Sequence, residues 1–144
     1  MNGRAVRIGI VLGVALMGAV DEIVFHQLLQ WHHFFAATTA YWRIFSDGLF
    51  HAFTASLWLA AALMLWRHRD ELAGLPGSRA FWGGILTGAG GFQLFDGTVD
   101  HKLLKLHQVR MGAENLWLYD ATWIASGLLL LLEGWVLVAH SCDG

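Results

Sequence analysis

The sequence predicts an all-α fold: a four-helix transmembrane bundle built from two repeated helical hairpins, in a single membrane domain. Three observations lead to this prediction. Hydrophobic residues make up 56% of the 144 positions and charged residues only 14%, whereas a soluble domain has about 25% charged residues. Four apolar stretches are each long enough to cross a bilayer. The first and third of these stretches also resemble each other residue by residue.

Each predicted helix is an apolar segment of suitable length. A bilayer core is ~30 Å thick, and a helix needs roughly 20 mostly apolar residues to cross it. A polar turn containing Gly74 and Pro76 separates the second segment from the third. The second and fourth segments have no charged face at a helical period, which argues against a soluble bundle. The four helices are expected at about residues 8–29, 49–66, 80–104 and 116–139.

An internal repeat relates the two halves of the chain. Shifting the sequence by 75 residues, without a gap, places Asp21 on Asp96, His26 on His101 and His32 on His107. We interpret this as a duplicated hairpin, with units at about 4–66 and 79–139. Because each unit has two helices, both have the same orientation, and their pseudo-symmetry axis runs along the membrane normal. The repeat also favours a retained first helix over a cleaved signal peptide.

Charge and cysteine content exclude several classes of protein. The net charge of −2 with scattered basic residues gives no sign of nucleic-acid binding. The single cysteine, Cys142, excludes a disulfide framework and a cysteine-based metal motif. The expected partner is the lipid bilayer, and a homo-oligomer is left open. Basic residues number five on one side and four on the other, which weakly favours cytoplasmic termini. The five are Arg4, Arg7, Arg67, Arg69 and Arg79.

Histidines and carboxylates concentrate near one membrane face. An aspartate inside the membrane costs about 2.5–3.5 kcal/mol on insertion scales, so several in one bundle must satisfy each other, water or an ion. Imidazole nitrogen and carboxylate oxygen are natural ligands of zinc and copper. The sequence therefore predicts a copper or zinc site. Its candidate ligands are Asp21, His26, His32, Asp47, His51, Asp96, Asp100, His101, His107 and Asp120.

Spacing limits what one helix contributes to this site. Residues four apart share a helix face. Asp21 and His32 are eleven apart, which is about 16 Å along a continuous helix, too far to hold the same ion. Any site must then be assembled across helices. The pairs four apart are Glu22 with His26, Asp47 with His51, and Asp96 with Asp100.

An assembled site would have His26 and His101 as symmetric contributors. Asp47 and His51 would approach from the second helix and Asp120 from the fourth. Asp47 and Asp120 also suit helix N-caps, worth roughly 0.5–2 kcal/mol each, and for Asp120 we favour capping over ligation. A second, shallower site is possible at His32, His33 and His107.

Small residues predict where helices pack closely. Gly9 and Gly13 in the first segment, and Gly84 and Gly88 in the third, recur four apart. Such spacing is typical of close helix packing in membranes.

Several strings resemble the DUF2243 family of bacterial multi-pass membrane proteins. They are DEIVFHQLLQWHH at 21–33, DGLFH at 47–51, DGTVDH at 96–101 and HQVR at 107–110, followed by Tyr119-Asp120. The resemblance covers about residues 8–139. It implies a four-helix protein of the bacterial inner membrane, and it suggests a link to respiratory oxidase assembly, hence to copper and an assembly partner. The chain departs from the family pattern at Glu22 and Gln108.

Four functions compete at this point. The leading hypothesis is a membrane protein that binds copper or zinc near the extracytoplasmic face. The second is a b-type haem protein with His26 and His101 as axial ligands. The third is a zinc-dependent membrane hydrolase, with Ser46, Thr54 and Ser126 as the nearest hydroxyls. The fourth is a structural or partner-binding protein. The sequence leaves open whether the chain is an enzyme.

Overall fold

The computed structural model describes residues 3–36, 39–72 and 75–141, so Gly74 of the polar turn and Cys142 lie outside the described residues. These residues form four helices and no strand, which confirms the predicted fold class. Two of the helices continue as π-helices, here named π1 and π2. In chain order the elements are α1 (Gly3–Val20), π1 (Asp21–Leu28), α2 (Ala40–His68), a 3₁₀ turn (Arg69–Leu72), α3 (Leu75–Phe95), π2 (Asp96–Leu103) and α4 (Leu116–His140).

Three of the helices are long and apolar enough to cross a membrane: α1 with π1, α2 and α4. The helix formed by α3 and π2 is not in this group, and it carries Gln93, Asp96 and Asp100. Its crossing of the bilayer therefore stays a prediction. The predicted start of α2 is wrong, because the helix begins at Ala40 rather than near residue 49.

The helices pack side by side in the order α2, α1, α3, α4. α3 packs against both α1 and α4, and α2 packs against α1. A Cβ atom at Gly9 would lie 2.2 Å from the carbonyl oxygen of Phe81, and one at Gly13 would lie 2.0 Å from that of Ile85. These positions tolerate no side chain, which confirms the predicted close packing of the first and third helices. A similar seam between α3 and α4 is formed by Gly83, Gly90, Gly127 and Gly134.

The chain reverses direction after each π-helix. Gln30 (φ 51°) and Lys105 (φ 53°) adopt the left-handed conformation, which is uncommon for residues other than glycine. Each reversal sends a loop back over the bundle, where the two loops pair with each other. The Ala36 N–H donates to the Leu106 carbonyl at 3.2 Å, and the Met111 N–H donates to the Trp31 carbonyl at 2.9 Å.

Candidate metal centre

A first triad of ligand-type side chains lies at the end of α1. Asp21, His26 and His32 are at most 3% exposed and could hold a metal ion together. The His26 Nε2 atom lies 3.6 Å from Asp21 Oδ2, and the His32 Nε2 atom lies 3.5 Å from Asp21 Oδ1. Neither Nε2 atom has a hydrogen-bond partner among the described residues.

A second triad lies at the end of α3 and has the same composition. Asp96, His101 and His107 are also at most 3% exposed and form a second group able to hold an ion. The His101 Nε2 atom lies 3.2 Å from Asp96 Oδ2, and the His107 Nε2 atom lies 3.3 Å from Asp96 Oδ1. Both Nε2 atoms are again without a hydrogen bond in the described part of the chain.

The π-helices explain how each triad converges. Residues five apart are hydrogen-bonded along the backbone of a π-helix, whereas residues four apart are bonded in an α-helix. Asp21 and His26 are five apart and lie in π1; Asp96 and His101 have the same relation in π2. The wider helix therefore brings each aspartate and its first histidine to the same side. The chain reversals after π1 and π2 then return His32 and His107 to their aspartates.

The backbone orients two of the histidines. The His32 Nδ1 atom lies 2.8 Å from the Val109 carbonyl oxygen, and the His107 Nδ1 atom lies 3.0 Å from the Phe34 carbonyl oxygen. A carbonyl only accepts, so each Nδ1 carries the proton and donates it. In the neutral ring each Nε2 is then a bare acceptor facing a carboxylate. Histidine ligands of metals very often have this arrangement.

The two triads lie next to each other, and the region formed by their six side chains is here called the chamber. His32 and His107 stack with centroids 4.5 Å apart and planes 4° from parallel. His26 lies 4.6 Å from His32, and His101 lies 4.6 Å from His107. The four imidazoles therefore form a continuous chain from one aspartate to the other. Burial lowers the pKa of His32, although the Asp21 carboxylate beside it acts in the opposite direction.

Two further carboxylates surround the first triad. Glu22 Oε2 lies 2.9 Å from the His26 Nδ1 atom, as their spacing of four predicted. Asp47 Oδ1 lies 3.4 Å from the same nitrogen, so Glu22, His26 and Asp47 form a third group able to hold an ion. Asp47 already accepts hydrogen bonds from His33 at 2.6 Å and from the Phe34 N–H at 2.8 Å. It therefore fixes the loop that carries His32.

The second triad has different neighbours. Gly97 stands 75 residues after Glu22, so the carboxylate that holds His26 has no equivalent beside His101. The His101 Nδ1 atom has no hydrogen bond within the described chain and lies 4.0 Å from Asp120 Oδ1. Asp120 instead forms an ion pair with Lys102. The two triads thus share ligand types but differ in their surroundings.

Several sequence predictions about the site are wrong. His51 is exposed on α2 and belongs to no ligand group among the described residues. Asp47 and Asp120 are not N-caps, because Asp47 lies in the second turn of α2 and Asp120 in the second turn of α4. The proposed shallower site does not form: His32 and His107 join the two deep triads, and His33 pairs with Asp47. The chain reversal also places His32 beside Asp21.

Asp100 is buried but belongs to neither triad. It lines a cavity of about 730 Å³ together with Asp21 and Asp96. The hydroxyls considered for a hydrolase are bonded elsewhere: Ser46 to the Arg43 carbonyl, Thr54 to the His51 carbonyl, and Ser126 to the Thr122 and Trp123 carbonyls. Sequence reasoning missed the carbonyls of Phe34 and Val109, because backbone groups leave no trace in residue type.

Fold and site together define a helical membrane protein with a buried histidine and carboxylate centre. A family model described as a predicted membrane protein, DUF2243, matches residues 8–141. The chain belongs to that family, DUF2243, which confirms the resemblance. No curated protein and no solved structure matches the chain significantly.

Proposed function

We propose that this protein binds transition-metal ions, copper or zinc, one at each triad. The observation that carries the proposal is that four buried imidazole nitrogens have no hydrogen-bond partner. Those of His26, His32, His101 and His107 lack hydrogen bonds in the described chain, yet each faces a carboxylate oxygen. A buried polar atom without a partner costs about 1–3 kcal/mol, and an ion between nitrogen and oxygen removes that cost at all four positions.

The distances support a tetrahedral ion. Zinc binds imidazole nitrogen and carboxylate oxygen at roughly 2.1 Å, so ligand atoms at the tetrahedral angle stand about 3.4 Å apart. The four nitrogen–oxygen distances within the triads run from 3.2 to 3.6 Å. Each triad supplies two nitrogens and a carboxylate whose two oxygens face different histidines. A carboxylate that binds through both oxygens completes four donors, and one that binds through a single oxygen leaves a position for water or another ligand.

The charge balance supports cations in the chamber. Lys102 pairs with Asp120, and the other buried carboxylates have no lysine or arginine partner in the described chain. Uncompensated buried charge is strongly unfavourable. Six carboxylates are buried around the chamber: Asp21, Glu22, Asp47, Asp96, Asp100 and Asp120.

The alternatives receive less support. Axial ligation of haem by His26 and His101 needs a flat space between them, and the stacked rings of His32 and His107 occupy the route that connects the two. A zinc hydrolase uses a metal-bound water as its nucleophile, which each triad could provide, but the three hydroxyls considered as helpers bond to backbone carbonyls. Metal binding without assigned catalysis is therefore the best-supported function.

The test is metal analysis of the purified protein in detergent. We expect two ions per chain, falling to one in His26→Ala and to one in His101→Ala. His51→Ala is the matched control, because this exposed histidine contacts neither triad, and it should keep both ions. Sub-stoichiometric metal that neither triad variant changes would overturn the proposal. Competition between equal amounts of copper and zinc identifies the preferred metal.

The two sites should differ in affinity. Glu22 holds the His26 ring by a hydrogen bond of 2.9 Å, and no equivalent group holds His101. Partners that orient a ligand typically change metal affinity by about 10–100-fold. We therefore expect the first triad to bind more tightly, and Glu22→Gln to weaken that site alone. Equal affinities in the unmodified protein would refute this difference.

The location and biological role complete the proposal. With both termini in the cytoplasm of a bacterial cell, the triads lie towards the extracytoplasmic face, and reporter fusions to each terminus test this.

The link to respiratory oxidase assembly rests on the family resemblance and predicts copper as the ion. Transfer of bound copper to a metal-free oxidase subunit tests it, and a protein that holds only zinc would contradict it. Whether the protein forms a homo-oligomer is tested by sedimentation in detergent.

A further inference from the structure

An apolar cleft leads from the outside of the bundle to the carboxylates of the chamber. Its volume is about 730 Å³, within the range of small-molecule sites, about 300–1,000 Å³. Its mouth is formed by Leu49 and Phe53 of α2, Phe95 at the end of α3 and Leu104 just after π2, each at least 53% exposed. Because α2, on one side of the mouth, is long and apolar enough to span a bilayer, we expect the exposed apolar side chains of the mouth to face lipid.

The cleft ends at the carboxylate of Asp100, which belongs to neither triad. Asp100 is 8% exposed, lines the cleft and accepts no hydrogen bond at its side chain from any described residue. Its oxygens are not among the enclosed side-chain atoms that lack a partner, so they keep access to the cleft that they line. A ligand that covers them must donate a hydrogen bond, because covering an acceptor without a donor is unfavourable.

A second cleft lies between α3 and α4. It shows that the first half of the chain has no carboxylate at the position that matches Asp100. Asp100 stands 75 residues after Phe25, and Phe25 lines the second cleft. There, Phe25 packs edge-on against Trp123 at 5.2 Å and against Trp31 at 5.4 Å. The second cleft therefore ends in packed aromatic rings, whereas the first ends in a free acceptor.

The walls and the inner end together define the ligand. Phe34 stacks on Phe50 at 5.2 Å and 16°, and Phe50 stacks on Phe92 at 6.0 Å and 17°, so one wall is a column of nearly parallel rings. A flat aromatic ring fits against such a wall. The carboxylates at the inner end repel anionic lipid headgroups, and a cleft that is entered from lipid disfavours hydrated cations. A neutral ring with an O–H donor meets both conditions.

We propose that the cleft binds a lipid-soluble hydroquinone that enters from the bilayer, lies along the phenylalanine wall and donates a hydroxyl hydrogen bond to Asp100. This site depends on the cleft and on Asp100, not on metal at the triads. The two proposals therefore fail or succeed separately.

The experiment titrates the full-length protein in lipid nanodiscs with decylhydroquinone and, separately, with its dimethyl ether. Calorimetry is run without oxygen and corrected with empty nanodiscs. The ether cannot donate and leaves the covered Asp100 acceptor unpaired, which predicts that it binds roughly 10–100-fold more weakly. Asp100→Asn should weaken hydroquinone binding, and Asp100→Phe, which copies the residue of the second cleft, should abolish it. Asp70→Asn, at a side chain 95% exposed, should change nothing.

The possible results distinguish failure of the cleft proposal from failure of the metal proposal. Equal binding of hydroquinone and ether, or full binding by a folded Asp100→Phe variant, would overturn the inference. Metal content is measured in the same samples. Hydroquinone binding by a protein that takes up no metal would support the cleft and reject the proposed metal function, and metal binding without hydroquinone binding would do the reverse.

Discussion

Asp96→Asn should change stability in opposite directions with and without metal. The carboxylate is 2% exposed and lies 3.2 and 3.3 Å from two histidine nitrogens that form no hydrogen bond with it. In the metal-free protein it is a buried charge that accepts no hydrogen bond from these two nitrogens. Since an aspartate in the membrane costs about 2.5–3.5 kcal/mol, the neutral amide should raise the free energy of unfolding by about 1–3 kcal/mol.

With metal present the sign should reverse. An ion at 100 times its Kd adds about 2.7 kcal/mol to the stability of the protein that binds it. Asp96→Asn removes the charged ligand of the second triad and with it most of this gain. The variant should therefore be more stable than the unmodified protein in chelator and less stable in excess zinc.

Unfolding in mixed detergent micelles, followed by tryptophan fluorescence, measures both quantities. Asp70→Asn serves as the control and should shift neither. If Asp96 is instead held by ordinary ion pairs to charged histidines, Asp96→Asn destabilises the protein by a similar amount in chelator and in zinc. That result would refute the assignment of this carboxylate to a metal.

Three other predictions follow from the same geometry. Gly13→Ala should destabilise the protein by about 3 kcal/mol, because its Cβ would lie 2.0 Å from the Ile85 carbonyl oxygen. Gly91→Ala, with open space around it, should stabilise the protein by about 0.5–1 kcal/mol. Equal effects of the two variants in thermal unfolding would contradict the packing. Gln30→Gly should stabilise by up to about 1–2 kcal/mol, since it relieves a left-handed backbone; loss of stability would show that the Gln30 side chain matters more. Metal content at equilibrium should fall as the pH drops from 7 to 5, because imidazole ligands must lose their protons to bind; pH-independent binding would exclude histidine ligands.

The sequence predicted the helices well because apolar length and composition determine them. It placed the start of α2 too late, since residues 40–48 include polar and aromatic side chains that look like a connecting loop. The aspartate of that stretch, Asp47, is tolerated inside the helix because His33 and the Phe34 N–H bond to it. That compensation comes from a distant loop, and local pattern does not reveal it.

The candidate site was predicted in part. Asp21 with His26, and Asp96 with His101, lie in groups that could hold an ion, and their role as ligands stays a prediction. The place of His32 was missed because eleven residues of continuous helix span about 16 Å, whereas the observed separation from Asp21 Oδ1 is 3.5 Å. A π-helix followed by a left-handed residue makes the difference, and both are rare for ordinary residues. Their occurrence depends on tertiary contacts.

The exchange of hydrogen bonds between the two loops has a consequence for biosynthesis. His32 in the first half is oriented by Val109 in the second, and His107 is oriented by Phe34 in the first. During translation the amino-terminal hairpin therefore emerges with its second histidine unsupported. Under the proposed function, cofactor insertion is a late maturation step that waits until the ribosome has delivered the carboxy-terminal hairpin. Separately expressed halves would be competent only after they assemble in the same bilayer.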